Sequence, residues 1–299
     1  MADPFPFVLN VVSADADALA GPLRAAAAKH GAVAEIDWLS QDYAFDLPFL
    51  GEPEAVLAAA RAAAEGASAD INVVPAANRR KRLLISDMES TIIDCECIDE
   101  LADFAGIRDK IAPITERTMR GEIDFKQALR ERVALLKGLP ASTLEQVYRE
   151  RVHLNPGARE LVATMKAHGA YTMLVSGGFG FFTERVARAC GFHTWQANTL
   201  EIADGKLTGT VGEPILDRDA KLTALNDAAR ERGLSLEDAA AIGDGANDLA
   251  MITAAGLGVG YYPKPVLAAA APAIIAHTDL RTLLYLQGYR DADIIKPSP

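Results

Sequence analysis

Leu83-Leu84-Ile85-Ser86-Asp87-Met88-Glu89-Ser90-Thr91 sets two carboxylates, one residue apart, directly after a short apolar run. Such a run is the mark of a buried strand, and parallel sheets place function just past the C-terminal ends of their strands. One carboxylate there can attack an electrophile while the other moves protons. Taken alone the pair is a weak signal, because acids in strand-to-helix loops commonly cap the next helix. Further along, YTMLVSG (171–177), AAAIGD (239–244), GLGVGYY (256–262) and AIIAH (273–277) alternate with helical stretches. That alternation predicts a parallel sheet with helices on both faces. Between them, 199–202 and 206–211 flank Ala203-Asp204-Gly205, a hairpin signal.

Three more features fall at predicted strand ends or beside them. Ser176-Gly177-Gly178 supplies a hydroxyl and backbone N–H groups where a helix is expected to open, a ready phosphate cradle, although alone it reads as an ordinary turn. Lys221, within a helix predicted over 217–231, reads by itself as a solvated lysine. Ala241-Ile242-Gly243-Asp244-Gly245-Ala246-Asn247-Asp248 surrounds an acid with glycines after an apolar strand. It is the most specific of the set and suits a hard cation such as Mg²⁺, which prefers carboxylate oxygens and water.

The stretch 94–152 is charged and helical. On the helix predicted over 124–137, Phe125, Ala128, Leu129, Val133 and Leu136 form one apolar face; Arg132 falls in its middle and Arg130 on the far side. A guanidinium among apolar neighbours needs a carboxylate, and both a protein partner and a ligand stay open. Residues 1–78 read as β-α-β-β-α-β, with helices at 16–30 (closed by Gly31) and 54–66, and middle strands at 33–39 and 42–47. This order suits a ferredoxin-like sandwich and resembles ACT-type domains. It leaves open an amino-acid ligand there, or a role in folding or homodimer formation without one. The basic run Asn78-Arg79-Arg80-Lys81-Arg82 reads as a solvated connector.

With 299 residues, half of them hydrophobic and 24% charged, the chain can pack a large α/β domain and a smaller companion. A net charge of −11 points away from nucleic acid and anionic membranes. Positive charge for an anionic substrate must therefore be local. The first residues lack the basic start and apolar run of a signal peptide, and the apolar 266–276 is short and broken by Pro272, so no membrane span and a cytoplasmic setting are expected. Three cysteines give neither a disulfide framework nor a zinc signal.

Taken in order, Asp87–Thr91, Ser176, Lys221 and Gly243–Asp248 resemble the motifs of the haloacid dehalogenase superfamily: DxDx(T/V), a Ser or Thr, a Lys, and GDxxxD. Within it, DMESTIIDCECIDELA, TERTMRGEIDFKQALRERVALLKGL, SGGF and GDGANDLAMI are similar to the phosphoserine phosphatase family, whose second motif-one aspartate is here Glu89. The resemblance implies a Rossmann-like core over 79–299 with a helical cap at about 94–152, preceded by the ACT-like α+β domain at 1–78. It implies Mg²⁺-dependent hydrolysis of O-phospho-L-serine, the last step of serine biosynthesis, through an aspartyl phosphate. Asp87 would be nucleophile and Glu89 the acid–base group. Asp87, the Glu89 carbonyl and Asp244 would hold the metal. Ser176, Gly177 and Lys221 would hold the phosphoryl group, with Asn247 and Asp248 supporting. Arg132 would meet the substrate carboxylate, Glu96 its ammonium, and Phe125 and Met119 would exclude water. Thr91 would bond locally. Transfer of the phosphoryl group to an alcohol such as homoserine, another small phosphoester as substrate, and a regulator with a decayed site stay open.

Overall fold

The computed structural model describes residues 4–119 and 122–297, without the side chains of 115, 116, 118 and 119. Its first sheet is antiparallel. β1 (Phe7–Ser13) lies between β4 (Ala44–Gly51) and β5 (Ala69–Pro75), while β2 (Gly31–Val33) and β3 (Asp37–Ser40) pair with opposite ends of β4. α1 (Ala16–Ala27) and α2 (Pro53–Ala63) pack on one face, over a core of Leu9, Val11, Leu23, Phe45, Leu47, Phe49 and Val56. The order is that of the ferredoxin-like, ACT-like α+β sandwich. Two local expectations change. The strand read at 33–39 is split in two, and Gly31 opens β2 instead of closing α1. A side chain at Gly31 would put its Cβ 2.1 Å from the Leu50 carbonyl oxygen, so the close backbone approach requires glycine.

The second sheet is parallel, in the order β13-β12-β11-β6-β7-β8. These are β6 (Leu83–Ser86), β7 (Tyr171–Phe179), β8 (Thr194–Asn198), β11 (Ala239–Gly243), β12 (Leu257–Tyr261) and β13 (Ala273–Ile275), with β8 absent from the sequence reading. The remaining strands, β9 (Leu200–Ala203) and β10 (Lys206–Val211), form the predicted hairpin, turning through positive φ at Asp204 and Gly205. α7 (Ala158–Ala167), α8 (Gly180–Cys190), α9 (Arg218–Glu231), α10 (Leu249–Ala254), α11 (Pro265–Ala268) and α12 (Thr282–Leu286) complete the core. β6 and β11 are buried throughout, as a doubly covered central sheet demands. The chain leaves β6 for β7 on one side and returns to β11 on the other, so Asp87 and Asp244 end adjacent strands at the topological switch point.

Helices α3 (Cys97–Phe104), α4 (Arg108–Met119), α5 (Phe125–Ala134) and α6 (Ser142–Arg151) form an insertion over that end of the sheet. An Ile93–Leu154 bridge closes its two stalks. α5 is capped by Asp124, whose carboxylate accepts the Gln127 N–H at 2.7 Å. It ends before the expected residue 137, although Leu136 is still buried.

The basic run at 78–82 is solvated only in part: Asn78, Arg80 and Arg82 are exposed, but Arg79 and Lys81 are not. Arg79 donates to Asp46 at 2.5 and 3.1 Å and to the Tyr285 and Leu286 carbonyls, and Lys81 is buried on the Glu237 carbonyl. These cations pair what would otherwise be a buried charge and orphaned carbonyls between the two sheets. Asn72 joins the same seam by bonding both the N–H and C=O of Ile274, and Asp70 accepts the N–H groups of Ala276, His277 and Thr278. Among the described residues no helix is long and apolar enough to cross a membrane.

Candidate active site

Asp87 extends β6 by one ladder bond, its N–H donating to the Ile242 carbonyl at 3.0 Å. Its Oδ1 accepts the Met88 N–H at 2.7 Å and Lys221 Nζ at 2.8 Å. Oδ2 accepts no hydrogen bond from the described residues. One oxygen is thus held while the other faces the cavity. Lys221, on α9, also donates to Asp248 Oδ1 at 2.5 Å, and all three groups are buried. Burial opposes the charge on Lys221, but Asp87 and Asp248 outweigh it and hold the ammonium above its ordinary range. Burial, together with the Asp248 charge, pushes the Asp87 carboxyl well upward, with Lys221 opposing. A cation bound beside Asp87 would act in the same sense as Lys221.

Asp248 is fully committed. Its Oδ2 accepts the N–H groups of Asp244 and Gly245 at 3.2 and 3.0 Å. This places the carboxylate against Gly243, where an added Cβ would lie 2.4 Å from Asp248 Cγ. Carboxylate oxygens of Asp87, Asp244 and Asp248 lie within 4.8 Å of one another. Such an all-oxygen donor set, with Asp87 Oδ2 and Asp244 Oδ1 not otherwise bonded among the described residues, fits Mg²⁺, which takes one or two carboxylates and keeps several waters. Asp248, already bonded at both oxygens, is the positioning member of the three.

Glu89 reaches back to the cap, its Oε1 accepting the Cys97 N–H at 2.8 Å at the start of α3. Burial and the nearby Glu96 carboxylate push it up to about 7, against the Cys97 amide. A carboxyl near that value both gives and takes protons at neutral pH. Gly178 makes room for it, since a Cβ there would stand 2.7 Å from Glu89 Oε2.

A cavity of about 240 Å³ connects these groups; Asp87, Glu89, Glu96, Arg132, Asp244 and Lys264 supply its charged walls, with Phe125, Gly177 and Asn247 among the rest. Arg132 is half-buried; its Nε reaches only the Ala128 carbonyl, at 3.4 Å, and among the described residues no carboxylate pairs with it. Arg130 points away to Glu213, as the helical periodicity predicted. Glu96 is the N-cap residue of α3 but makes no cap bond; it accepts Ser90 Oγ at 3.0 Å and faces Lys264 at 3.8 Å. Phe125 closes over Gly177, where an added Cβ would stand 3.2 Å from Phe125 Cζ. The Met119 side chain lies outside the described residues.

Three readings of the sequence need correction or completion. Ser176–Gly178 does not open a helix: β7 continues to Phe179, which pairs with Asn198 beyond a bulge, and α8 starts at Gly180. Gly178 N–H is turned back onto Ser176 Oγ at 2.9 Å, and Asn198, which the sequence did not flag, anchors the Gly177 carbonyl at 2.8 Å. Thr91 bonds through its backbone, its carbonyl accepting Asn155 Nδ2 at 2.8 Å, while its buried hydroxyl has no partner among the described residues. Lys264 was also missed, although its place just past the end of β12, between Pro263 and Pro265, is where a parallel sheet puts functional side chains.

Residues 84–253 match the model of the haloacid dehalogenase-like hydrolases, and the chain belongs to that family. Within it, the chain is similar to proteins described as phosphoserine phosphatases. The one from Streptococcus thermophilus is 48% identical over 67% of this chain and 93% of its own length. A probable phosphoserine phosphatase from Vibrio cholerae, solved in unliganded form, superimposes with a TM-score of 0.80 at 31% identity over 97% of this chain and 88% of that one. A phosphoserine phosphatase solved as a phospho-aspartyl intermediate analogue gives a TM-score of 0.64 at 38% identity, over 69% of this chain and 98% of that one. The match spans little more than half the length of other curated phosphoserine phosphatases, including 59% of that from Archaeoglobus fulgidus.

Proposed function

We propose that this protein hydrolyses O-phospho-L-serine to L-serine and phosphate through an aspartyl phosphate, as the last step of serine synthesis. Asp87 Oδ2, the oxygen not bonded by the described residues, attacks phosphorus. As the new P–O bond forms, the bond to the seryl oxygen breaks and Glu89 gives that oxygen a proton. Glu89, now a carboxylate, takes a proton from water, whose oxygen forms a bond to phosphorus. The P–O bond to Asp87 breaks, restoring Asp87 and releasing phosphate. Lys221, the Ser176 hydroxyl and the Gly177 N–H stabilise the phosphoryl oxygens as charge redistributes. Asp87, Asp244 and the Glu89 carbonyl would hold Mg²⁺, which neutralises the mutual repulsion of carboxylate and phosphate.

Arg132 carries the choice of substrate. Among the described residues it is a cavity cation without a carboxylate of its own, and it shares the cavity with the Glu96 carboxylate and Asp87. A ligand with a carboxylate, an ammonium and a phosphate satisfies all three at once. The family and the phosphoserine phosphatase relatives support the same reading. The test is phosphate release with Mg²⁺ from L-phosphoserine, phosphothreonine, phosphoethanolamine and an aryl phosphate. Phosphoserine should be preferred and added homoserine should not divert the phosphate. Comparable rates on all four substrates would refute the assignment.

A further inference from the structure

Among the described residues, Lys264 is the one charged cavity residue that the proposed reaction leaves without work. Its Nζ lies 2.9 Å from Asp244 Oδ2 and 3.8 Å from Glu96 Oε1. A lysine with 60% of its side chain exposed is ordinarily a solvated surface group, and an ion pair at such a site is worth little. Here the backbone is fixed in place. The Lys264 N–H donates to the Asp244 carbonyl at 2.8 Å, prolines stand on both sides, and Tyr262, two residues earlier, adopts φ +41°. A positive φ is a real outlier for so bulky a residue and persists only where its surroundings impose it. They do: Tyr262 N–H donates to the Ile275 carbonyl at 2.7 Å and its hydroxyl to the Thr278 carbonyl at 3.1 Å. Thr278 is in turn held by Asp70 of the N-terminal sheet, through its N–H at 3.0 Å and its hydroxyl at 2.5 Å. The ammonium is thus tethered to the carboxylate proposed to take the metal.

We propose that Lys264 is a built-in competitor for the cation site, a positioning residue that neutralises Asp244 and is displaced from it when Mg²⁺ binds. The proposal rests on the assignment of Asp244 as a metal ligand. It follows from charge: Asp87, Asp244 and Asp248 crowd their oxygens within 4.8 Å, and Lys221 is already spent on two of them. A fixed positive charge beside a divalent cation weakens its binding by Coulomb repulsion, and here it holds one oxygen of a carboxylate the metal would use. Lys264 thereby sets a Mg²⁺ affinity below what the carboxylates alone would give.

Calorimetric titration of the full-length protein with MgCl₂, without substrate, tests this on Lys264→Met, Lys264→Arg and Asp244→Asn. Lys264→Met should bind Mg²⁺ on the order of tenfold more tightly, the scale of one unit charge beside a divalent ion in a water-screened site. Lys264→Arg keeps the charge and should bind like wild type. In thermal unfolding, Lys264→Met should start from a lower Tm without metal and gain more from a fixed Mg²⁺ concentration than wild type does. A lysine that only supported the loop would lower Tm equally with and without the metal and leave affinity unchanged or weaker, and either result overturns the proposal. Mg²⁺ binding that survives Asp244→Asn unaltered overturns instead the metal assignment beneath it.

Discussion

Glu89 Oε1 accepts the Cys97 N–H at 2.8 Å, which fastens the second acid of the strand-end motif to the first turn of the cap. The proposed proton carrier is therefore oriented by the element that covers the substrate. The glutamate side chain spans the gap to that amide, and Gly178 leaves space for it.

Replacing Glu89 with Gln should keep Mg²⁺ binding and lower phosphoserine turnover by roughly 10²–10⁴-fold, the usual contribution of a positioned proton donor. With an aryl phosphate, whose leaving group needs less protonation, the first half-reaction should suffer less than the second. A burst of leaving group should then appear in pre-steady-state measurements. Glu89→Asp should retain far more activity than Glu89→Gln. Wild-type turnover in Glu89→Gln would show that the proton comes from elsewhere.

Arg132→Ala should weaken kcat/KM for phosphoserine by about 2–5 kcal/mol, the scale for removing one partner of a buried charge pair. Phosphoethanolamine, which has no carboxylate, should be nearly unaffected. Equal losses on both substrates would assign Arg132 a structural role instead.

Gly178→Ala tests the space in which Glu89 sits. The new methyl would stand 2.7 Å from Glu89 Oε2 and must push that side chain off the Cys97 amide. Because the obstacle is the end of a flexible side chain, stability in urea should hold while kcat falls. An unchanged kcat would mean that the position of Glu89 is not critical.

The seam between the two sheets should contribute stability without touching chemistry. Asp46→Ala leaves Arg79 without its carboxylate in a mostly buried setting, with side-chain exposures of 14% for Arg79 and 5% for Asp46. The loss should be about 3–5 kcal/mol in urea unfolding, with kcat of the folded enzyme unchanged. A loss under about 1 kcal/mol would place the pair among ordinary surface contacts.

Much of this site could be read from the sequence because its parts are local. Asp87 and Glu89 follow an apolar run, Asp244 and Asp248 share one turn, and Arg132 follows from helical periodicity. What escaped depends on contacts between distant segments. Lys264 meets Asp244 only because β11 and β12 are neighbours, and Asn198 reaches Gly177 only because β8 pairs with β7 beyond a bulge. Arg79, in the basic run at 78–82, looked solvated because its acceptors, Asp46 and the carbonyls of Tyr285 and Leu286, lie far away in the chain. The helix expected at Ser176 failed for a related reason, since strand pairing at Phe179 overrode the local glycine signal.

The central claim is that phosphate passes through Asp87. It is tested most directly by mixing the enzyme and Mg²⁺ with phosphoserine labelled in its phosphate, quenching in acid within the first turnover, and mapping the label by peptide mass. The label should appear on the peptide carrying Asp87, accumulate in Glu89→Gln, and be absent from a well-folded Asp87→Asn protein that has also lost turnover. Normal turnover by Asp87→Asn, or label on any other residue, would contradict the mechanism.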